Sequence, residues 1–76
     1  MKIYDEIKAE RVRQDELWGG PEHDDGHSTT QWATFIQERV EKIRDGEASL
    51  TTERMGELFI HIAALAVAAL ESLDRG

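Results

Sequence analysis

One stretch, residues 57–73, limits what this chain can fold into more than any other. It reads ELFIHIAALAVAALESL, and between Leu58 and Leu70 the only residue that is not apolar is His61. At a helical turn of about 100° per residue, its large apolar side chains cover almost the whole circumference. A helix that is apolar on all sides must be covered on nearly all sides. The rest of the chain, or another protein, must therefore pack around it.

The least bulky side of this helix carries Glu57, His61, Ala64 and Ala68, at spacings i, i+4, i+7 and i+11. Two interpretations are open. In the first, His61 is a core residue hydrogen-bonded to Glu57, and the alanines allow close helix packing across a two-fold axis. In the second, Glu57 and His61 contribute to a binding site.

The size and composition of the chain favour self-association. It has 76 residues and no cysteine. A chain of this length forms one domain, here residues 1–76, and a lone core of this size supplies only roughly 3–5 kcal/mol. Disulfides and zinc–thiolate sites are excluded. We therefore expect a homo-oligomer, at least a dimer.

Composition, charge and hydropathy limit the cellular compartment of the protein and the classes of partner that it can bind. A cysteine-free chain suits the reducing cytoplasm, and the N-terminus MKIYDEIKAERVRQ is too charged for a signal peptide. The apolar run is shorter than the roughly 20 residues that span a bilayer. The net charge of −7 argues against general nucleic-acid binding. We expect a cytoplasmic protein without a membrane segment.

Periodicity predicts three helices, over about residues 2–18, 30–45 and 52–74, with a polar loop at residues 19–29 and no strand. Gly19 and Gly20 stop the first helix. Ser28 or the threonines after it can cap the second, and Thr51 or Thr52 the third. The predicted fold class is all-α: a three-helix chain that forms a helical bundle by homo-oligomerisation.

The first helix has an apolar face that is interrupted by polar residues. Glu10, Arg11 and Gln14 share the face of Tyr4 and Trp18. Polar side chains are costly to bury unless each finds a partner. Either Glu10 and Arg11 lie at the edges of the face and extend to water, or the three form the polar floor of a pocket.

The loop and the second helix supply further candidates. The loop places His23, Asp24, Asp25 and His27 within five positions. It is either a solvated turn bent at Asp25-Gly26 or a binding loop beside Trp18. In the second helix Arg39 faces the side of Trp32 and Ile36, which is unusual for a purely solvated residue.

Carboxylates on the second and third helices are candidates for a metal site. Glu38 and Glu41 lie one helical turn apart and can reach one divalent cation, and Glu57 can come alongside when the next helix runs antiparallel. The alternative is that Glu38 and Glu41 belong to a solvated face.

Glu38-x-x-Glu41 followed by Glu57 resembles the metal signature of the MazG-like all-α nucleoside triphosphate pyrophosphatases. Small phage and actinobacterial proteins assigned to that group have similar opening and closing segments. The matching segments here are Glu10-Arg11-x-Arg13-Gln14-Asp15-x-x-Trp18-Gly19, His23-Asp24, and the Ala-rich helix from Ala63 to Glu71 with Asp74-Arg75. The resemblance covers most of the chain.

The resemblance implies a helical bundle of two or more subunits, Mg²⁺ and a nucleotide ligand. By position, Glu38, Glu41 and Glu57 would be the metal ligands, and Gln14 and Trp18 would hold the base or sugar. The chain departs from the family at Ile60, where the second motif has Asp. The neighbouring His61 could substitute, although imidazole is a poor Mg²⁺ ligand.

The leading hypothesis is a phage-type MazG-like protein that binds a nucleotide or nucleotide-derived ligand. As an enzyme it would be a Mg²⁺-dependent nucleoside triphosphate pyrophosphohydrolase. As a binder it would hold the phosphates with Arg11, Arg39, His23 and His27, with Asp24 and His61 nearby. One alternative is a non-catalytic counter-defence protein that sequesters a nucleotide immune signal. Another is an acidic helical dimer that inhibits a host protein.

Overall fold

The computed structural model describes residues 2–20, 22, 25–46 and 49–75. They form three long helices: α1 (Ile3–Trp18), α2 (Thr29–Gly46) and α3 (Thr52–Arg75). No strand occurs in these ranges. The all-α fold class is thereby confirmed.

Local hydrogen bonds set the helix ends. Gly19 follows α1 in the left-handed conformation, with a φ of 97°, and its N–H donates to the carbonyl of Asp15 at 3.0 Å. Ser28 forms a capping box with Gln31: its Oγ accepts from the Gln31 N–H at 3.2 Å, and its own N–H donates to Gln31 Oε1 at 2.7 Å. The Oγ1 of Thr51 accepts from the Arg54 N–H at 3.0 Å. These caps fix where α2 and α3 begin.

The third helix is the centre of the chain. Both α1 and α2 pack against α3, whereas contact between α1 and α2 is slight. The resulting layer measures 39 × 27 × 19 Å. A flat layer of this kind covers only part of its central helix.

The buried core lies between α3 and α2. It contains Trp32 of α2 with Leu65 and Ala68 of α3, and Phe35 and Ile36 pack against it. Ala64 is 0% and Ala68 1% exposed, because these small side chains let the chain's own helices approach α3 closely. The structure therefore corrects the interpretation that the two alanines pack across a two-fold axis.

The opposite side of α3 is uncovered. Phe59, Leu70 and Leu73 are 57%, 65% and 64% exposed. The apolar Tyr4 and Leu17 of α1 are also in solvent. The chain thus covers one side of the helix that was expected to need cover on nearly all sides.

By length and composition alone α3, with its 24 residues, could cross a membrane. The central helix of a soluble protein can meet the same test, and α3 carries Glu57, His61 and Glu71 within its length. The absence of a membrane segment stays a prediction.

Candidate functional site

A pocket of about 290 Å³ opens between the end of α1, the loop, α2 and α3. Its volume is at the lower limit of the range typical of small-molecule sites, roughly 300–1,000 Å³. Aromatic side chains make up most of its wall. It is lined by Trp18, His27, Trp32, Phe35, Glu38, Arg39 and Leu65.

The rings of the wall hold one another in place. The His27 ring meets both Trp32 and Phe35 edge to face, with centroids 5.0 Å apart in each case. Trp32 and Phe35 are 6.1 Å apart and nearly perpendicular. These are favourable geometries for aromatic pairs. Trp18, 39% exposed, lines the same pocket.

Two charged side chains of α2 reach the same pocket. Arg39 donates through Nη1 to the backbone carbonyl of Phe35 at 3.1 Å, and the same nitrogen lies 3.5 Å from Oε2 of Glu38. Within the described part of the chain, Nε and Nη2 of Arg39 make no hydrogen bond. The guanidinium is thus anchored at one end and keeps donors for an anion. Glu38 is exposed and can accept hydrogen bonds at the rim.

A buried polar network links α1 to α3 on the other side of the chain. Glu10 and Gln14 are only 8% and 3% exposed. Arg13 binds the Glu10 carboxylate with two hydrogen bonds of 2.7 and 2.6 Å, and Gln14 Nε2 donates to Glu10 Oε2 at 3.2 Å. Arg11 donates to Gln14 Oε1 at 3.3 Å and to Glu71 Oε1 on α3 at 3.1 Å.

This network excludes one of the two interpretations of the first helix. Glu10 does not extend to water, and the side chain of Arg11 is only 13% exposed. Glu10, Arg11 and Gln14 each have hydrogen-bond partners, which offset the cost of their desolvation. The structure therefore corrects the expectation that Glu10 and Arg11 lie solvated at the edges of the face.

His61 belongs to this network rather than to Glu57. Its Nε2 lies 3.7 Å from Oε2 of Glu10, whereas Glu57 pairs with Arg54 at 2.8 Å. The proposed His61–Glu57 hydrogen bond is thus replaced by a contact between helices. Burial lowers the pKa of His61, and the nearby Glu10 carboxylate partly opposes that effect. The hydrogen bond from Arg13 lowers the pKa of Glu10.

The three glutamates predicted as metal ligands do not meet in one chain. Glu38 and Glu41 border a shallow groove on α2, where Glu41 accepts a hydrogen bond from Gln37 at 3.2 Å. Glu57 borders a separate cleft between α1 and α3. Within the described ranges no group of three or more His, Asp or Glu side chains is arranged to hold a metal ion. Magnesium stays a prediction.

The polar loop is held by Asp25, one of its four candidate residues. Asp25 accepts hydrogen bonds from Nε and Nη2 of Arg75, the shortest being 2.7 Å, and from Ser72 Oγ at 3.0 Å. Arg75 lowers the pKa of Asp25. The loop is therefore tied to the end of α3. His23 and Asp24, two predicted ligand residues, lie outside the described residues.

Seven of the predicted site residues fall into two groups. Trp18, His27, Glu38 and Arg39 meet at the aromatic pocket, and Arg11, Gln14 and His61 meet in the polar network. Trp32 and Phe35 also line the pocket and were not among the predicted site residues. Their spacing from Arg39, seven and four residues before it on α2, places all three on one helical face and could have identified them.

No family model matches the chain, and comparison with curated proteins and with solved structures finds no match. The resemblance to MazG-like pyrophosphatases thus depends on the sequence motifs alone. The pocket and the polar network have to be interpreted from their own chemistry.

Proposed function

We propose that this protein binds a nucleotide or nucleotide-derived ligand in the aromatic pocket. The observation that supports this most is the combination of aromatic walls with Arg39 at one rim. A nucleobase can lie against the aromatic rings that line the pocket. Stacking on an aromatic side chain contributes about 1–3 kcal/mol per base. The pocket suits the flat, apolar part of such a ligand.

Arg39 suits the charged part of such a ligand, its phosphates. A guanidinium binds phosphate oxygens through paired N–H donors, and its hydrogen bond to Phe35 O fixes its position. The chain as a whole is acidic, with a net charge of −7. An anionic ligand therefore depends on local cations, and Arg39 supplies one at the pocket.

Binding without hydrolysis is the form of the proposal that the geometry favours. Glu38 and Glu41 are not joined by Glu57 within one chain, and Ile60 stands where the MazG-like motif has Asp. A protein that holds a nucleotide without cutting it acts by sequestration. The resemblance to small phage proteins suggests that the sequestered ligand is a nucleotide signal.

We also propose that the helical bundle is completed by homo-oligomerisation. The large apolar side chains that α3 exposes support this proposal. The same exposure supports the second candidate function, an acidic helical protein that docks onto a host protein. A self-associating wild-type chain favours the first candidate, because the exposed side chains are then already covered.

A thermal-shift panel tests ligand binding. It uses linear mono-, di- and triphosphates of each nucleoside, and cyclic di- and trinucleotides, each with and without Mg²⁺. A ligand at 100 times its dissociation constant should add about 2.7 kcal/mol to the free energy of unfolding. We expect Trp18→Ala and Arg39→Gln each to weaken binding at least about tenfold, the equivalent of ~1.4 kcal/mol.

Tyr4→Ala is the matched control, because Tyr4 is an exposed aromatic residue on α1 outside the pocket. It should bind as the wild type does. If no nucleotide shifts the melting temperature, or if all three variants behave alike, the proposal is wrong. Release of pyrophosphate that depends on Mg²⁺ and is lost in Glu38→Gln would instead identify an enzyme.

A further inference from the structure

The uncovered side of α3 has a regular spacing. Its residues recur at alternating steps of three and four, the heptad spacing of helices that pair along their length. We call this set the seam. It consists of Gly56, Phe59, Ala63, Ala66, Leu70 and Leu73.

The seam is apolar and lacks a partner within the chain. Phe59, Leu70 and Leu73 are each more than half exposed. The buried residues Leu58, Ala64, Leu65 and Ala68 lie on the other side of the helix. The six seam positions include no ionisable residue. One side of α3 thus packs on α1 and α2, and the other carries a second apolar stripe.

The surface area of the chain indicates how large the missing partner contact is. The accessible surface is 5437 Å² for a mass of 8.6 kDa. A folded monomer of that mass exposes about 4,700 Å². The surplus of roughly 700 Å² is close to the roughly 800 Å² that each partner buries in a standard protein interface. The chain therefore exposes about as much extra surface as one standard contact would bury.

We propose that α3 pairs antiparallel with α3 of a second copy along the seam. The inference rests on the proposed homo-oligomerisation and adds its interface and register. With Ala63 facing Ala66 of the second copy, Phe59 faces Leu70 of that copy, and Leu73 faces its Gly56. The two-fold axis repeats each contact, so both copies use the same surface.

The pattern of side-chain sizes selects the antiparallel direction. The alanines at the centre let the helix axes approach to about 8 Å. A side-chain carbon built on Gly56 would meet nothing within 4 Å, so there is room for Leu73 of the second copy. A parallel pair would set Gly56 against Gly56 and leave that space empty. The antiparallel pair also aligns opposite ends of the helix dipoles.

The pairing leaves the aromatic pocket accessible. Leu65, the residue through which α3 reaches the pocket, lies about 120° around the helix from the centre of the seam. The dimer therefore carries two separate pockets, each formed by one chain. Ligand binding and self-association can then be measured independently.

Sedimentation velocity of three proteins tests the surface. The wild type should sediment as a dimer at micromolar concentration, and Leu70→Glu as a monomer that circular dichroism shows to be helical. Leu17→Glu is the matched control, because Leu17 is 60% exposed on α1 and lies outside the seam. It should remain a dimer.

Cysteine cross-linking tests the register, because the chain has no cysteine of its own. A mixture of Phe59→Cys and Leu70→Cys should form a disulfide-linked dimer on mild oxidation, whereas Phe59→Cys alone should not. In the antiparallel pair the two copies of residue 59 are separated by about 16 Å along the axis, too far for a disulfide.

Each contrary outcome overturns a different statement. A monomeric wild type contradicts the homo-oligomer and the seam together, and monomers that float with lipid vesicles would assign the seam to a membrane surface. A dimer that Leu17→Glu dissociates and Leu70→Glu does not contradicts the seam alone. Cross-linking of Phe59→Cys to itself contradicts the antiparallel direction. In all of these cases the nucleotide panel still tests the pocket.

Discussion

Glu10 and Gln14 are the two buried side chains of α1, while the apolar Tyr4 and Leu17 of the same helix lie in solvent. This distribution is stable only because Arg13 and Arg11 complete the hydrogen bonds of the buried pair. A buried carboxylate without its partner would be strongly destabilising. Polar residues therefore help to position α1 on α3.

His61 makes the free energy of unfolding depend on pH. Its pKa is lowered in the folded state by burial, with Arg13, Arg39 and Arg54 acting in the same direction and Glu10 against it. Below a pH of about 6.5, the ordinary pKa of histidine, the unfolded chain binds the proton more readily than the folded chain. The free energy of unfolding should therefore fall as the pH drops below that value.

The pKa of Glu10 is lowered as well, so its contribution is lost only at lower pH, as the solution is acidified below about 4.5. Urea unfolding at pH 7.5, 6.5 and 5.5 measures the contribution of His61 separately from that of Glu10. We expect His61→Asn to reduce the loss over this range, and Thr34→Asn, which places the same residue at an exposed helical position, to leave it unchanged. Equal pH dependence in all three proteins would contradict this assignment.

Hydrogen bonds between residues close in sequence determine where the helices begin and end. The cap of α2 at Ser28 also sets the position of His27, which directly precedes it and lines the aromatic pocket. On α3 the two apolar stripes differ in their partners: one packs on α1 and α2, and the other is the seam. Helix α3 is therefore packed on one side within the chain, and its other side has no partner there.

Loss of the α2 cap should destabilise the protein measurably. Ser28→Ala removes the Oγ that accepts the Gln31 N–H. Loss of such a cap costs about 0.5–2 kcal/mol. The comparison is with Thr29→Ala, the next residue along, which is exposed and makes no side-chain hydrogen bond within the described part of the chain. Urea unfolding that gives the same midpoint for both variants would show that the cap contributes nothing.

The whole molecule is more open than a single globular chain of its length. Its radius of gyration is 12.9 Å, against about 11.4 Å expected for 76 residues. The two flanking helices barely touch, so α3 holds them together and leaves its seam exposed. A second copy on the seam would convert this layer into a bundle.

Folding that is coupled to dimerisation makes the melting temperature depend on protein concentration. We expect a fall of roughly 4 °C for each tenfold dilution of the wild type. Leu70→Glu should melt at a lower temperature that does not change with dilution, and Leu17→Glu should follow the wild type. Calorimetry over a hundredfold concentration range measures the effect. A wild-type melting temperature that is constant over this range would argue against coupled folding.

Much of the fold followed from the sequence because it depends on neighbours in the chain. The periodicity predicts an all-α fold, and the caps at Gly19, Ser28 and Thr51 are bonds between residues three or four positions apart. Trp18, His27 and Arg39 were predicted as binding residues, and they line one pocket; their role in binding stays a prediction. The need of α3 for cover beyond its own chain was also an inference from sequence, and it awaits the sedimentation measurement.

Only the tertiary structure decided which residues face one another across helices. It placed Ala64 and Ala68 inside the chain and left the seam outside. It set His61 against Glu10, and Asp25 against Arg75, fifty residues away in sequence. The helical period alone predicts which residues share one face of a helix. Which face meets α1, α2 or another copy depends on how whole helices pack, and packing is a property of the assembled molecule.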